Sequence, residues 1–152
     1  MKPFHYRLQH LLHMREQTMD TALEAYAVAM QDWEHQLDNC RKIEIQISQI
    51  ADKIQDNVRQ GVSAQMLASF YGSMANAKQM LEESREIVLQ KEKVKDEKHQ
   101  EYLAKRGEFK ALDNHRERKK EEHVFIQFKE EEKLLEELAN NRSTYHSPFV
   151  TS

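Results

Sequence analysis

Apolar residues recur at steps of three and four along the first third of the chain, and this periodicity restricts the fold more than any other feature. The stripe consists of Phe4, Leu8, Leu11, Leu12, Met19, Ala22, Tyr26, Met30, Trp33, Leu37, Cys40, Ile43, Ile47, Ile50, Ile54 and Val58. A narrow stripe sustained for about eight heptads, with charged residues between its members, is typical of a coiled-coil seam. We therefore predict a first helix over about residues 4–58.

A second stripe follows a break at residues 59–63. It consists of Leu67, Phe70, Met74, Ala77, Leu81, Val88, Tyr102, Phe109 and Leu112. Gly61 can adopt the left-handed conformation that ends a helix, and Ser63 can cap the next one. The second helix is predicted over about residues 64–141. Folding back at Gly61 pairs residues whose numbers sum to roughly 121, which brings Cys40 to Leu81 and Trp33 to Val88.

Turn-forming residues are scarce, with 3 glycines and 2 prolines in 152 residues. Sandwiches, barrels and βαβ folds need many more, so the predicted fold class is all-α. Two long helices form an antiparallel coiled-coil hairpin, the second helix is the longer, and residues 1–141 are a single domain. Residues 142–152 lose the periodicity and contain Pro148, so we expect a disordered, flexible C-terminal tail.

The middle of the second stripe is weak. Residues 91–101 contain Val94 as their one apolar side chain, which indicates a solvated stretch of the seam or a site of irregular pairing. We prefer the interpretation as a solvated stretch of the seam. On the first helix, the longest apolar run of the chain covers residues 25–30, far too short for a membrane span. We accordingly expect a soluble cytoplasmic protein without direct membrane insertion, and the lone Cys40 suits a reducing compartment.

The second helix is predicted to extend past the first, and residues 117–141 form this overhang. Val124, Phe128, Leu135 and Leu138 share one helical face there, in a segment that also contains Phe125, Ile126 and Leu134. An uncovered apolar stripe favours contact with another surface. A second copy of the chain or a folded-back tail are alternatives to a partner protein.

Charge is segregated along the second helix. Residues 91–120 contain eleven basic and seven acidic side chains, a net charge of +4, whereas residues 121–142 contain three and seven, a net charge of −4. The densest basic cluster contains Arg116, Arg118, Lys119 and Lys120. It is either a solvated helix face with internal ion pairs or a contact surface.

Motifs for catalysis and metal binding are missing from the sequence. It contains no phosphate-binding loop and no nucleophile motif, and the pairs His10/His13 and Asp32/His35 fall short of a di-metal site. We expect no enzymatic activity, no catalytic residues, no cofactor and no metal. The formal net charge of −3 argues against a nucleic-acid partner, although a basic helix binding nucleic acid is a third hypothesis, behind a static coiled-coil spacer.

Both ends of the hairpin resemble a known family. The first end reads Phe-His-Tyr-Arg-Leu-Gln-His-Leu-Leu from Phe4, followed by Arg15-Glu16 and an alanine-rich stretch at residues 22–29. The other end, residues 122–139, contains Phe128, an acidic block with a lysine at residues 130–133, and a final Leu138-Ala139. These motifs are similar to the termini of the FliJ family, and the resemblance covers residues 1 to about 141.

The resemblance implies a role in the bacterial flagellar type III export apparatus. FliJ-like proteins resemble the central stalk of rotary ATPases, and the expected partners are the hexameric flagellar export ATPase and the cytoplasmic domain of the export gate. Export chaperones are a further expected partner. The implied location is the cytoplasm, peripherally on the cytoplasmic face of the inner membrane at the flagellar base. The related injectisome stalk proteins share this architecture and are an alternative.

The resemblance also assigns residues to two contacts. The gate contact falls on Phe70 and Tyr71, although isoleucines replace the aromatic residues that the family shows on the first helix. The ATPase-docking hypothesis comprises Phe4, Arg7, Leu8, Arg116, Arg118, Lys119, Lys120, Val124, Phe128, Leu135 and Leu138.

Overall fold

The computed structural model describes residues 2–146, and side chains up to residue 143. Within that range the chain forms two helices, α1 (Gln9–Gln60) and α2 (Ala64–His146). The predicted all-α hairpin with a longer second helix is confirmed. Its contacts divide it into two units. We call residues up to Thr18 together with those from Arg106 the terminal unit, and Met19–Lys105 the hairpin unit.

The turn between the helices follows the prediction closely. Gly61 has a φ of 76°, and the amides of Gly61 and Val62 donate to the carbonyls of Val58 and Asn57 at 3.4 and 3.3 Å. This pair of hydrogen bonds is the Schellman motif that ends many helices. Ser63 then caps α2, because its Oγ accepts a hydrogen bond from the amide of Met66 at 3.3 Å.

The seam is formed by the two predicted stripes. Every member of the second stripe is buried or half-buried, and so are all members of the first except Leu11 and Val58. The core is nevertheless thin, since no large side chain among the described residues is completely enclosed. The buried apolar residues are Leu12 and Leu112 in the terminal unit, and Ala29, Cys40, Ile43, Ala77 and Leu81 in the hairpin unit.

The pairing within the hairpin unit is displaced from the predicted register. Cys40 lies against Ser84, with Sγ and Oγ 3.0 Å apart in the buried seam, whereas the predicted sum places it opposite Leu81. The chain reverses over residues 61–63, so the turn is centred on Val62 instead of Gly61. A turn centred on Val62 gives paired residue numbers that sum to 124, as those of Cys40 and Ser84 do, rather than the predicted value of about 121. Ser84 fills the position that the sequence stripe left empty between Leu81 and Val88.

Trp33 has a neighbour that the sequence stripe did not include. The ammonium of Lys95 lies over its ring, 4.0 Å from the centroid. One turn further along α2, the ring of His99 lies 4.9 Å from that of Tyr26. Polar residues therefore occupy the seam where Val94 is exposed, and α2 continues through residues 91–101 without a break. The lysine stem supplies apolar surface while its charge lies against the indole.

Both outer helix boundaries differ from the predicted ones. Residues 4–8 precede α1 instead of beginning it, because the segment runs along α2 in non-helical form. At the other end, α2 continues to His146 rather than ending at residue 141, since no glycine or proline interrupts it before Pro148. The rest of the predicted tail, residues 147–152, lies outside the described residues.

Candidate docking surface of the terminal unit

Residues 2–8 form a strap that is held against α2 by two histidines. The Tyr6 hydroxyl lies 2.5 Å from Nδ1 of His115, and Nε2 of His123 lies 2.9 Å from the carbonyl oxygen of Lys2. The Phe4 ring also lies against His123, with centroids 5.6 Å apart. Every second residue of the strap, Phe4, Tyr6 and Leu8, is half-buried. Residues 2–6 have no helical or turn structure, so the half-burial of both Phe4 and Tyr6 fits an extended chain, and residues 7–8 then form a turn in which the Gln9 amide donates to the Tyr6 carbonyl at 3.2 Å.

The extended strap covers more of α2 than a helix of the same length would. Four residues separate Lys2 from Tyr6, and an extended chain spans about 13 Å over that interval. Their partners His123 and His115 are eight residues apart, which is about 12 Å along a helix. The strap therefore follows two turns of α2, and the part of them from residue 117 onward was predicted to have no neighbour. Part of the overhang, up to His123, is thus covered by the N-terminal segment.

The basic residues of the predicted docking surface are mostly exposed. Arg7, Arg118, Lys119 and Lys120 are exposed, whereas Arg116 is half-buried. Lys119 pairs with Glu122 at 3.2 Å within α2. Arg116 reaches its neighbour Glu117 at 3.2 Å, while its Nε is buried without a hydrogen-bond partner. The cluster is thus only partly neutralised by its own helix.

The apolar stripe of the overhang is open along its whole length. Val124, Phe128, Leu135 and Leu138 are between 55% and 66% exposed. At 100° per residue these four lie roughly 60° to 140° around the helix from His123, which marks the side covered by the strap. The strap therefore does not cover the stripe. Phe125, Ile126 and Leu134, which were not included in the docking hypothesis, are also more than half exposed.

The profile of the family described as "Flagellar FliJ protein" matches residues 4–145, nearly the whole chain. The chain belongs to the FliJ family. The match includes residues 4–8 of the strap, all of α1, and α2 with its overhang as far as residue 145.

The fold of this FliJ-family chain is also found in a solved structure. It is similar to CT670 from Chlamydia trachomatis, described as a proposed YscO homolog, with a TM-score of 0.64 and 16% sequence identity. The similarity covers 95% of this chain and 98% of that one. A search of curated proteins gave no match.

The two residues assigned to the gate contact lie on α2 in the hairpin unit. Phe70 is half-buried in the seam, and Tyr71 beside it is 56% exposed. Tyr71 is therefore available for a contact, whereas Phe70 is partly committed to packing.

His115 and His123 are not among the functional residues predicted from the sequence. The available signal was the spacing of Phe4 and Tyr6 directly after Pro3, which suits an extended segment. No pattern on α2 alone marks the two histidines as its partners.

Metal-binding clusters and membrane-spanning helices are both absent from the described part of the chain. No group of three or more histidine, cysteine or acidic side chains is arranged there to hold a metal ion. Neither of the helices described has an apolar stretch that could span a membrane.

Proposed function

We propose that this FliJ-family chain is a stalk-like component of the flagellar type III export apparatus. In this proposal the terminal unit docks into the hexameric export ATPase. The observation that carries it is the exposed apolar stripe, Val124, Phe128, Leu135 and Leu138, on a helix that extends beyond α1. The family match over residues 4–145 supports the flagellar role over the injectisome alternative.

The chemistry of the terminal unit suits a ring of identical subunits. A stalk inside a ring must be bound without being fixed rigidly. This requirement favours a modest apolar stripe beside exposed charges. Arg118 and Lys120 supply such charges next to Val124. The histidine-held strap fixes Phe4 and Leu8 against α2, so the amino-terminal segment and α2 both contribute to the proposed contact. A static spacer would need neither the exposed stripe nor the strap.

The remaining contacts are part of the same proposal. Tyr71, with Phe70 behind it, contacts the cytoplasmic domain of the export gate and so couples the ATPase to the gate. Export chaperones are a further class of partner. The protein then acts in the cytoplasm, peripherally bound at the cytoplasmic face of the inner membrane, and performs no reaction of its own.

Binding to the purified ATPase and to the purified gate domain tests the two contacts separately. The proposal expects Tyr71→Ala to weaken gate binding at least fivefold and to leave ATPase binding unchanged, because Tyr71 belongs to the hairpin unit. Met66→Ala is the matched control, since Met66 is similarly exposed on α2. No binding of the unaltered chain to the ATPase would contradict the proposed function itself.

A further inference from the structure

A groove runs beside the seam of the hairpin unit, on a surface that the proposed function does not use. It has a volume of about 420 Å³ and lies between residues 21–32 of α1 and residues 91–98 of α2. Val28 and Val94 line it and are 59% and 42% exposed. Ala25 and Ala29 lie between the exposed valine of α1 and the seam. This part of α1 coincides with the longest apolar run of the sequence.

The two rims of the groove carry charges of opposite sign. Glu24 and Asp32 line it from α1, and Lys91 and Lys98 line it from α2. Among the described residues no ion pair joins one rim to the other, and Lys98 instead pairs with Glu101 on its own helix at 3.5 Å. The acidic rim has no cationic partner within ion-pair distance in the described structure. Each rim thus presents charge of one sign to anything that enters the groove.

The spacing along both rims is that of helix packing. The α1 positions 21, 25, 28 and 32 and the α2 positions 91, 94 and 98 advance by three and four residues. The α1 row is about 17 Å long at 1.5 Å per residue, which is three helical turns. A third amphipathic helix packs against rows of this spacing beside a two-helix seam. Here Ala25, Val28 and Val94 supply the apolar surface of the rows, and Asp32, Lys91 and Lys98 supply the charges at their ends.

We propose that this groove binds an amphipathic α-helix of a partner protein. The apolar row of that helix covers Val28 and Val94. Its basic edge faces Glu24 and Asp32, and its acidic edge faces Lys91 and Lys98. The inference is independent of the ATPase and gate contacts, because none of the residues assigned to them lines the groove.

Three designed helical peptides test the charge pattern. They are 18 residues long and share one apolar row. The first has lysines on one flank and glutamates on the other, the second has lysines on both flanks, and the third has glutamates on both. Fluorescence anisotropy of each labelled peptide, titrated with the full-length chain, is expected to give at least tenfold tighter binding for the mixed peptide. Each uniform peptide meets one rim of like charge, which lowers its affinity.

Reversing one rim tests where the peptide binds. Glu24→Lys/Asp32→Lys makes both rims basic, so the preference should shift to the glutamate-flanked peptide. The matched control is Phe128→Ser/Leu135→Ser, which alters the overhang and should bind the mixed peptide as tightly as the unaltered chain. Circular dichroism verifies that each variant is folded.

Several results would overturn the proposal. Equal binding of all three peptides would show that the rims do not select a partner, and an unchanged preference after rim reversal would place the binding elsewhere. Light scattering tests whether a second copy of the chain occupies the groove instead. If the chain alone is a dimer that Val28→Ser/Val94→Ser converts to a monomer, the groove is occupied by a second copy and the partner-helix proposal is wrong.

Discussion

The hydroxyl of Tyr6 and Nδ1 of His115 lie 2.5 Å apart although 109 residues separate them in the sequence. With the contact between the Lys2 carbonyl and His123, this pair holds the strap along two turns of α2. The strap makes the amino-terminal residues part of the α2 surface instead of a continuation of α1. How firmly these contacts hold the strap can be measured by proteolysis.

His123→Ala should release the first part of the strap without unfolding the helices. The substitution removes both the ring contact with Phe4 and the hydrogen bond to the Lys2 carbonyl. A typical hydrogen bond contributes about 1 kcal/mol, which corresponds to roughly fivefold more of the open form. Limited trypsin digestion should therefore cleave after Arg7 about fivefold faster. His13→Ala, on an exposed position of α1, is the control. Equal cleavage rates in the two variants would contradict the role of His123.

Gly61 and Gly72 should respond to alanine in opposite directions. Gly61 has a φ of 76°, so an alanine there is expected to cost about 1 kcal/mol. Gly72 lies inside α2, and no atom lies within 4 Å of the position that the methyl group of an alanine would take. Gly72→Ala should therefore stabilise the chain by up to about 1 kcal/mol. Urea unfolding followed by circular dichroism measures both. A stabilising Gly61→Ala would show that the left-handed turn does not form.

Local chemistry determined which features of the fold were predictable from the sequence. Gly61 and Ser63 act on their own neighbours, so the turn was predicted almost residue by residue. The register depended on where the turn is centred, and a predicted sum of about 121 instead of 124 placed Cys40 opposite Leu81, three residues from Ser84. Of the strap contacts, that of Tyr6 with His115 matches the predicted sum of 121, whereas that of Lys2 with His123 does not.

The candidate docking surface and the seam were likewise predictable only in part. The exposed stripe from Val124 to Leu138 follows from helical periodicity alone, and the structure leaves all four of its members exposed. Lys95 was interpreted as part of a solvated stretch, because its role depends on the ring of Trp33 from the other helix. A charged residue at a seam position is recognisable only when the opposite side chain is known.

Trp33→Ala should destabilise the hairpin unit by about 2 kcal/mol. Full burial of a tryptophan would make the cost about 3 to 5 kcal/mol, but Trp33 is only half-buried. Lys95→Ala should cost about 0.5 to 1 kcal/mol through loss of the cation–π contact. Lys93→Ala, two residues away and exposed, should be close to neutral. If Lys93→Ala and Lys95→Ala melt at the same temperature, the contact with Trp33 contributes nothing.

Charge reversal in the basic cluster should act mainly on association with the ATPase. Arg118 and Lys120 are exposed and form no ion pair among the described residues, so they are expected to steer encounter rather than anchor the complex. Arg118→Glu/Lys120→Glu should lower the association rate several-fold at low salt and much less at high salt. Stopped-flow measurements over a salt series provide the test. A change confined to the dissociation rate would instead place these charges inside the contact.

The central claim is that the exposed stripe of the overhang serves a partner rather than the fold. Phe128→Ser/Leu135→Ser tests it most directly, because both side chains are at least 60% exposed and lie outside the strap's contacts. The decisive measurement pairs the melting temperature of this variant with its stimulation of the purified export ATPase. The account predicts nearly unchanged melting together with at least a tenfold loss of ATPase affinity, equivalent to about 1.4 kcal/mol. A large fall in melting temperature, or normal stimulation of the ATPase, would contradict it.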